Sequence, residues 1–219
     1  MPYKIIFLGK LGCGKGTQAE ILSKRLSIPT ISTGSMYRRE MQAGTEVGNQ
    51  VYELCVKQGK LMPDEITNQL MAKRIREADC AGGFIIDGYP RTLNQAEFIV
   101  SDINLAIDID IPDDLAVQRL DGRWIHKASG RTYHSEFNPP KIAYTDDITG
   151  EGLIQREDDR PEIIKRRLEV FYELCAPLPD FFRNKGTKVL QVSGVGAIGE
   201  IASRIESQLN IGRLYGQQT

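Results

Sequence analysis

Gly9-Lys10-Leu11-Gly12-Cys13-Gly14-Lys15-Gly16-Thr17 is the stretch on which the reading of this chain turns. Before it lies Tyr3 to Leu8, a short apolar run rich in isoleucine and aromatics, which reads as a strand buried on both faces. After it, from Lys15 to Leu26, the apolar residues Ala19, Ile21, Leu22 and Leu26 recur at helical spacing. Strand, glycine-rich loop, lysine and helix in that order are the setting of a phosphate-binding loop. Gly9, Gly12, Gly14 and Gly16 let backbone N–H groups turn inward around an anion, and the helix N-terminus adds partial positive charge. Lys15 supplies a compact cation for β- and γ-phosphates, and Thr17 a hydroxyl near a metal. The strict pattern would place serine or threonine directly after the lysine; Gly16 stands there instead. A ligand-free strand-to-helix turn is the alternative reading of these nine residues, and the surrounding order weighs against it.

Working outward, the chain alternates strand-like and helix-like segments. Gly83 to Asp87 reads as a second buried strand, and Val189 to Val192 as a later one. Leu105 to Ile111 alternates isoleucine with aspartate, which places it near a sheet edge. Helices are predicted over Ser35 to Gln42, Glu46 to Gln58 (ending at Gly59), Asp64 to Glu77 (beginning beside Pro63), Asp113 to Leu120 and Ala197 to Leu209. A long one is predicted from Pro161 to Leu174, continuing past Pro177 after a kink. Strands separated by helices point to an α/β fold with a parallel sheet covered on both faces. Gly122 to Asp159 breaks the alternation with turn residues, aromatics and charges, and reads as a small inserted subdomain of short antiparallel strands, placed to act as a lid.

Composition narrows the classes. The 219 residues are 41% hydrophobic and 26% charged, which excludes a disordered tail or a collagen. With 28 Lys+Arg against 29 Asp+Glu there is no global basic field to hold a nucleic acid. Cys13, Cys55, Cys80 and Cys175 are dispersed, with no C-x-x-C pair, as in a reduced cytoplasmic chain. No apolar stretch is long enough to cross a membrane.

The loop with glycine after its lysine resembles that of the adenylate kinase family, and the resemblance extends over nearly the whole chain. It is carried by Ile31-Ser32-Thr33-Gly34 with Met36 and Arg38, by Gly59-Lys60-Leu61, and by Asp87-Gly88-Tyr89-Pro90-Arg91-Thr92 with Gln95. Gly122-Arg123, Ser129-Gly130-Arg131, Arg156 with Asp158-Asp159, and Arg167 complete the series in the family's order. The resemblance implies a P-loop NTPase-like fold with a five-stranded parallel sheet, and a single subunit. It implies reversible phosphoryl transfer from MgATP to AMP, giving two ADP, with no nucleic acid or membrane as partner. It also implies a core of residues 1–31, 63–121 and 160–219, a mobile AMP-binding segment 32–62, and a long-form lid 122–159.

By the family's pattern, the donor nucleotide would be held by Gly12, Cys13, Gly14, Lys15, Gly16 and Thr17, with Arg119, Arg123, Thr132, Tyr133 and Gly196. AMP would meet Thr33, Arg38, Lys60, Leu61, Met62, Gly88, Arg91 and Gln95, with Arg156 and Arg167. Lys15, Arg91, Arg123, Arg156 and Arg167 would spread the charge of the moving phosphoryl group, because a guanidinium grips phosphate oxygens bidentately and stays charged. Asp158 and Asp159 would steady the closed lid or serve a hinge. Mg²⁺ would be held through water and phosphates near Thr17 and Asp87; Asp87 ends a buried strand, where open α/β sheets place ligands, although an aspartate before Gly88 also suits a plain turn.

Some relatives fasten the lid with zinc through four cysteines. His126, Ser129, Asp146 and Thr149 occupy those places here, and without thiolates they read as a hydrogen-bonded cluster with no zinc; His134 reads as a surface residue of the lid. Three residues depart from the family: Leu11 stands at its usual proline, Ser35 at its usual aspartate, and Cys13 lies inside the loop. The helix end could lower the Cys13 thiol pKa and make it redox-sensitive, or Cys13 is simply a small residue that the loop tolerates. Thr33 matches an AMP acceptor, whereas related pyrimidine nucleotide kinases tend to carry alanine there, and the Gln95 amide can pair with an adenine edge. The competing readings are a kinase of UMP, CMP or GMP, and a nucleotide switch without an acceptor. A guanine-reading switch needs N-K-x-D, and Asn184-Lys185-Gly186-Thr187 lacks the aspartate.

Overall fold

A computed structural model describes residues 2–209; the tail from Ile211 to Thr219, to which the sequence assigns no task, lies outside the described residues. β1 (Tyr3–Leu8) leads into α1 (Lys15–Leu26), and β2 (Thr30–Ser32) into α2 (Thr33–Gln42) and α3 (Glu46–Val51). A π turn, Tyr52–Val56, precedes α4 (Asp64–Arg74), β3 (Gly83–Asp87), α5 (Leu93–Ile99), β4 (Leu105–Asp110) and α6 (Asp113–Asp121). The insert contributes β5 (Arg123–Ile125) and β6 (Thr132–His134). After α7 (Pro161–Val170) a second π turn, Phe171–Cys175, is followed by α8 (Leu178–Asn184), β7 (Lys188–Ser193) and α9 (Ile198–Leu209).

The chain divides into two compact units. Of the described residues, the first takes in 2–34, Pro63–Ile111 and 171–209; the second takes in Ser35–Met62 and Pro112–Val170. In the first unit the five strands form a parallel sheet in the order β2-β3-β1-β4-β7. Ile5 and Ile6, neighbours in β1 that point to opposite faces, are both 0% exposed, so both faces of the sheet are covered. α1 and α9 pack on each other, and α5 packs on α8. Among the described residues no helix is long and apolar enough to cross a membrane.

Two features differ from the sequence-based expectation. β4 lies inside the sheet, between β1 and β7, and not at an edge. Its aspartates occupy the last positions of the strand, Asp108 half-buried and Asp110 exposed, where a parallel strand runs out of the core. Their alternation therefore reports the end of a buried strand rather than a solvent-facing side. The helix from Pro161 stops at Val170, giving way to the π turn, and Leu178–Asn184 is a separate helix behind Pro177. β2 and α5, three and seven residues long, have no clear periodicity in sequence. In the second unit β5 and β6 pair antiparallel, Arg123 opposite His134 and Ile125 opposite Thr132, and single bridges tie Ile125 to Ile154 and Thr145 to Gly152. The short antiparallel strands expected of the insert are present.

Candidate active site

The loop between β1 and α1 has the backbone that its glycines permit. Gly9 and Gly14 lie at φ 124° and 95°, where a side chain would be strained, and a Cβ at Gly9 would also strike the carbonyl of Ile109. Lys15 curls back over this loop. Its Nζ donates to the carbonyls of Gly9 and Lys10, each at 2.7 Å, and lies 3.5 Å from Cys13 Sγ. The packing also explains Gly16: a Cβ there would stand 3.3 Å from Oδ2 of Asp87, at the end of β3. The off-pattern glycine thus makes room for a carboxylate beside the head of α1. Thr17 is exposed, and its hydroxyl has no partner among the described residues. Gly196 follows β7 at φ 115°, and the preceding Gly194 approaches the carbonyl of Cys13. Lys10 is 7% exposed, with its ammonium donating to Tyr172 Oη at 3.1 Å and standing 4.0 Å from Asp110.

Cys13 is 0% exposed, and burial pushes its thiol above the ordinary cysteine range; the nearby Lys15 offsets this only in part. The lowered pKa that the helix end suggested is corrected here, because desolvation of the thiolate outweighs the attraction of Lys15. We expect a thiol reagent to leave the peptide bearing Cys13 unlabelled in the native protein and to modify it after unfolding, as read by peptide mass. Rapid native labelling would contradict this packing.

A second cluster of the first unit forms where β3 ends. Gly88 sits at φ 84°, and its carbonyl accepts from Thr33 Oγ1 and from Arg91 Nε, both at 2.9 Å. Thr92 caps α5 by accepting from the Gln95 N–H at 3.1 Å, and the Gln95 amide oxygen accepts from the Arg91 N–H at 2.8 Å. Gln95 is 2% exposed. Thr33, from one sequence motif, and Gly88, Arg91 and Gln95, from another, are therefore one hydrogen-bonded set.

The second unit gathers the remaining arginines. Arg123 makes a two-pronged ion pair with Asp159, Nε to Oδ2 at 2.7 Å, and the Asp159 side chain is 3% exposed. Arg167 is held by Asp158 through both its carbonyl and its carboxylate, each at 3.0 Å. Arg38 donates to the hydroxyl of Ser35 at 2.9 Å. Arg156 is different. It has no ion pair or hydrogen bond among the described residues, and its Nε is buried with no partner. Burial first, then the positive fields of Arg123 and Arg38, pull its pKa down to about 10. A half-buried guanidinium facing two like charges is poised for an anion with several oxygens. In the same unit Lys60 N–H donates to the Leu54 carbonyl at 2.9 Å, Met62 is buried, and Gly59 abuts the stems of Arg166 and Arg167.

The adenylate kinase family model matches residues 7–187. Adenylate kinases of three Coxiella burnetii strains, Dugway 5J108-111, RSA 331 and CbuG_Q212, are each 44% identical over 215 residues, covering 94% of this chain and 93% of theirs. This chain belongs to the adenylate kinase family.

Within the second unit His126, Ser129, Asp146 and Thr149 belong to one polar network. Asp146, 1% exposed, accepts from Arg131 through both oxygens at 2.8 and 2.6 Å, from Tyr133 Oη at 3.0 Å, and from the hydroxyl and N–H of Thr149 at 3.0 and 2.8 Å. These donors, Arg131 first, hold its carboxyl far below the ordinary carboxylate range. His126 lies 2.7 Å from Ser129 Oγ and 2.5 Å from Glu151 Oε2. Among the described residues no group of three His, Cys, Asp or Glu side chains is disposed to hold a metal ion.

His134 is 8% exposed, which corrects its reading as a surface residue. Its Nδ1 accepts from the N–H groups of Glu136 and Phe137, both at 3.0 Å, and its Nε2 faces the Gln118 carbonyl at 3.3 Å. Burial lowers its pKa, so it works as a neutral brace. Tyr133 is buried with its hydroxyl committed to Asp146, while Thr132 beside it is exposed. Arg119 lies over the ring of Phe137, 5.5 Å from its centroid, and Phe137 is 39% exposed. Sequence reasoning did not single out Phe137, Asp64 or Glu151. An aromatic just before Asn138-Pro139-Pro140 was a legible signal for the first; the others have none.

Proposed function

We propose that this protein transfers the terminal phosphoryl group of MgATP reversibly to AMP, giving two ADP and so balancing the adenine nucleotides. Lys15 and the amides of Gly12, Cys13, Gly14, Gly16 and Thr17 hold the donor's phosphates, with Gly196 near the same loop. Arg119, with Phe137 added from the geometry, offers two flat groups to the donor's adenine, and Arg123, Thr132 and Tyr133 belong to the same donor set. Arg38 and Arg91 hold the AMP phosphate; Thr33, Gly88, Gln95 and the backbone of Lys60, Leu61 and Met62 frame its base. Arg123, Arg156 and Arg167 spread the charge of the transferring group, with Asp158 and Asp159 setting the aim of two of them. The observation that carries this reading is Arg156, a guanidinium with no hydrogen bond or ion pair among the described residues and with a buried Nε that has no partner.

Asp87 beside Gly16 and the exposed hydroxyl of Thr17 suit a magnesium that takes most of its ligands from phosphate and water. Bound there it would neutralise charge on the β- and γ-phosphates. In this reading residues 32–62 and 122–159 close over the nucleotides against a core of 1–31, 63–121 and 160–219, which keeps water from accepting the phosphoryl group. The protein works as a cytoplasmic monomer, with ATP, AMP and ADP as its partners and Mg²⁺ as its cofactor.

A coupled assay with MgATP and each nucleoside monophosphate in turn tests the reaction and the acceptor. ADP formation should be far greater with AMP; strong formation with CMP or UMP and little with AMP would overturn the acceptor. Arg91→Ala should raise the KM for AMP about 10- to 100-fold, the worth of lost hydrogen bonds to a charged group, and leave ATP binding much less affected. An equal loss for both nucleotides would contradict its assignment.

A further inference from the structure

The Gln95 amide is held at both ends, and the holding group at its nitrogen is a carboxylate outside every motif considered above. Gln95 Nε2 donates to Asp64 Oδ1 at 2.7 Å, while its Oε1 accepts from the Arg91 N–H at 2.8 Å. The other oxygen of Asp64 accepts from Thr92 Oγ1 at 2.8 Å and Asn94 Nδ2 at 3.1 Å, which anchors the carboxylate at the start of α4. A primary amide has two N–H donors and two acceptor lone pairs. In Gln95, 2% exposed, one N–H and one lone pair therefore remain unused among the described residues.

We propose that Asp64 is a positioning residue that fixes which way Gln95 presents this remaining donor and acceptor, and thereby selects a 6-amino purine over a 6-oxo purine. The inference rests on the reading of Gln95 as the partner of the acceptor's base. Adenine offers an acceptor at N1 and a donor at its 6-amino group; hypoxanthine offers a donor at N1 and an acceptor at O6. An amide free to rotate by 180° can serve either base, because the turn exchanges its donor for its acceptor. Here the turn is blocked twice. It would set Oε1 against the Asp64 carboxylate, which can only accept, and Nε2 against the Arg91 N–H, which can only donate. The backbone N–H is common to any residue at that place, so Asp64 is the part of the lock that side-chain chemistry supplies. Rejection of the wrong base then follows from buried groups left facing like partners.

The test compares kcat/KM for AMP and for inosine monophosphate at saturating MgATP. Asp64→Asn keeps the shape but can turn either an oxygen or an NH₂ toward Gln95, so the amide regains its freedom. AMP turnover should persist, and the preference for AMP over inosine monophosphate should fall about tenfold, the worth of one hydrogen bond. Asp64→Ala, where water can replace the carboxylate, gives a second reading of the same ratio should the first variant fold poorly. Asn94→Ala removes another partner of Asp64 without touching Gln95; it should lower thermal stability and leave the ratio alone. An unchanged ratio in folded Asp64 variants that still use AMP would overturn the proposal. Gln95→Ala separates it from the reading beneath: if that variant keeps the ratio, Gln95 does not read the base. If it abolishes the ratio while Asp64 variants retain it, the lock alone is refuted.

Discussion

Lys15→Met is expected to cut turnover about a thousandfold, roughly 4 kcal/mol of lost transition-state stabilisation, while the fold persists. The ammonium stands over the glycine loop on two carbonyl contacts of 2.7 Å, so it is already aimed into the ring of amides. In the function proposed above, those carbonyls would exchange for phosphate oxygens as the triphosphate arrives, leaving the charge where negative charge grows on the β–γ bridge. Methionine fills the same channel with similar length and no charge. The loop loses the two ammonium contacts to Gly9 and Lys10 but keeps its glycine dihedrals and the packing of Gly9 against Ile109, which do not need the charge. Steady-state assays and a thermal melt together check this: turnover within about tenfold of the parent would remove Lys15 from the chemistry.

Arg156→Ala is expected to move activity and stability in opposite directions. Activity should fall about a hundredfold or more, since a guanidinium aimed at a transferring phosphoryl group acts mostly in the transition state. The melting temperature of the nucleotide-free protein should hold or rise by a few degrees. The reason is the charge that folding leaves exposed to its own kind. Arg156 loses water on folding and feels the charges of Arg123 and Arg38, which Asp158 and Asp159 offset only in part, so its folded pKa of about 10 lies below the ordinary arginine value. A base with a depressed pKa disfavours the folded state throughout the range below about 10, which includes neutral pH, and this burden eases only as pH climbs through that value. Alanine removes the burden at the expense of the anion site. A melt clearly lower than that of the parent would show that Arg156 braces the fold and is not held at a cost to stability.

Much of this was legible because the relevant physics is local. The loop needs glycines at particular dihedrals, a lysine at a helix head and an apolar strand before it, and all three lie within Tyr3 to Leu26. The arginines were found through ordered motifs, which name the residue but not its state. Arg123 and Arg167 are tied to Asp159 and Asp158 while Arg156 has no such tie, a distinction that depends on which carboxylate each can reach in space. His134 looked like a surface residue because its neighbours are polar; it is buried because Glu136, Phe137 and Gln118 present backbone groups to both ring nitrogens.

By itself the sequence determined most of the element order, the glycine-rich turn at the head of α1 and the family, since each is written in contiguous spacing or in an ordered set of motifs. Only the tertiary structure decided that β4 runs inside the sheet, that the Cys13 thiol is sealed from solvent, and that Asp64 reaches across 31 positions to hold Gln95. Those outcomes hang on burial and on contacts between residues far apart in the chain. Desolvation and hydrogen-bond partnership are properties of a neighbourhood, and the linear order of residues specifies a neighbourhood only once the chain has folded.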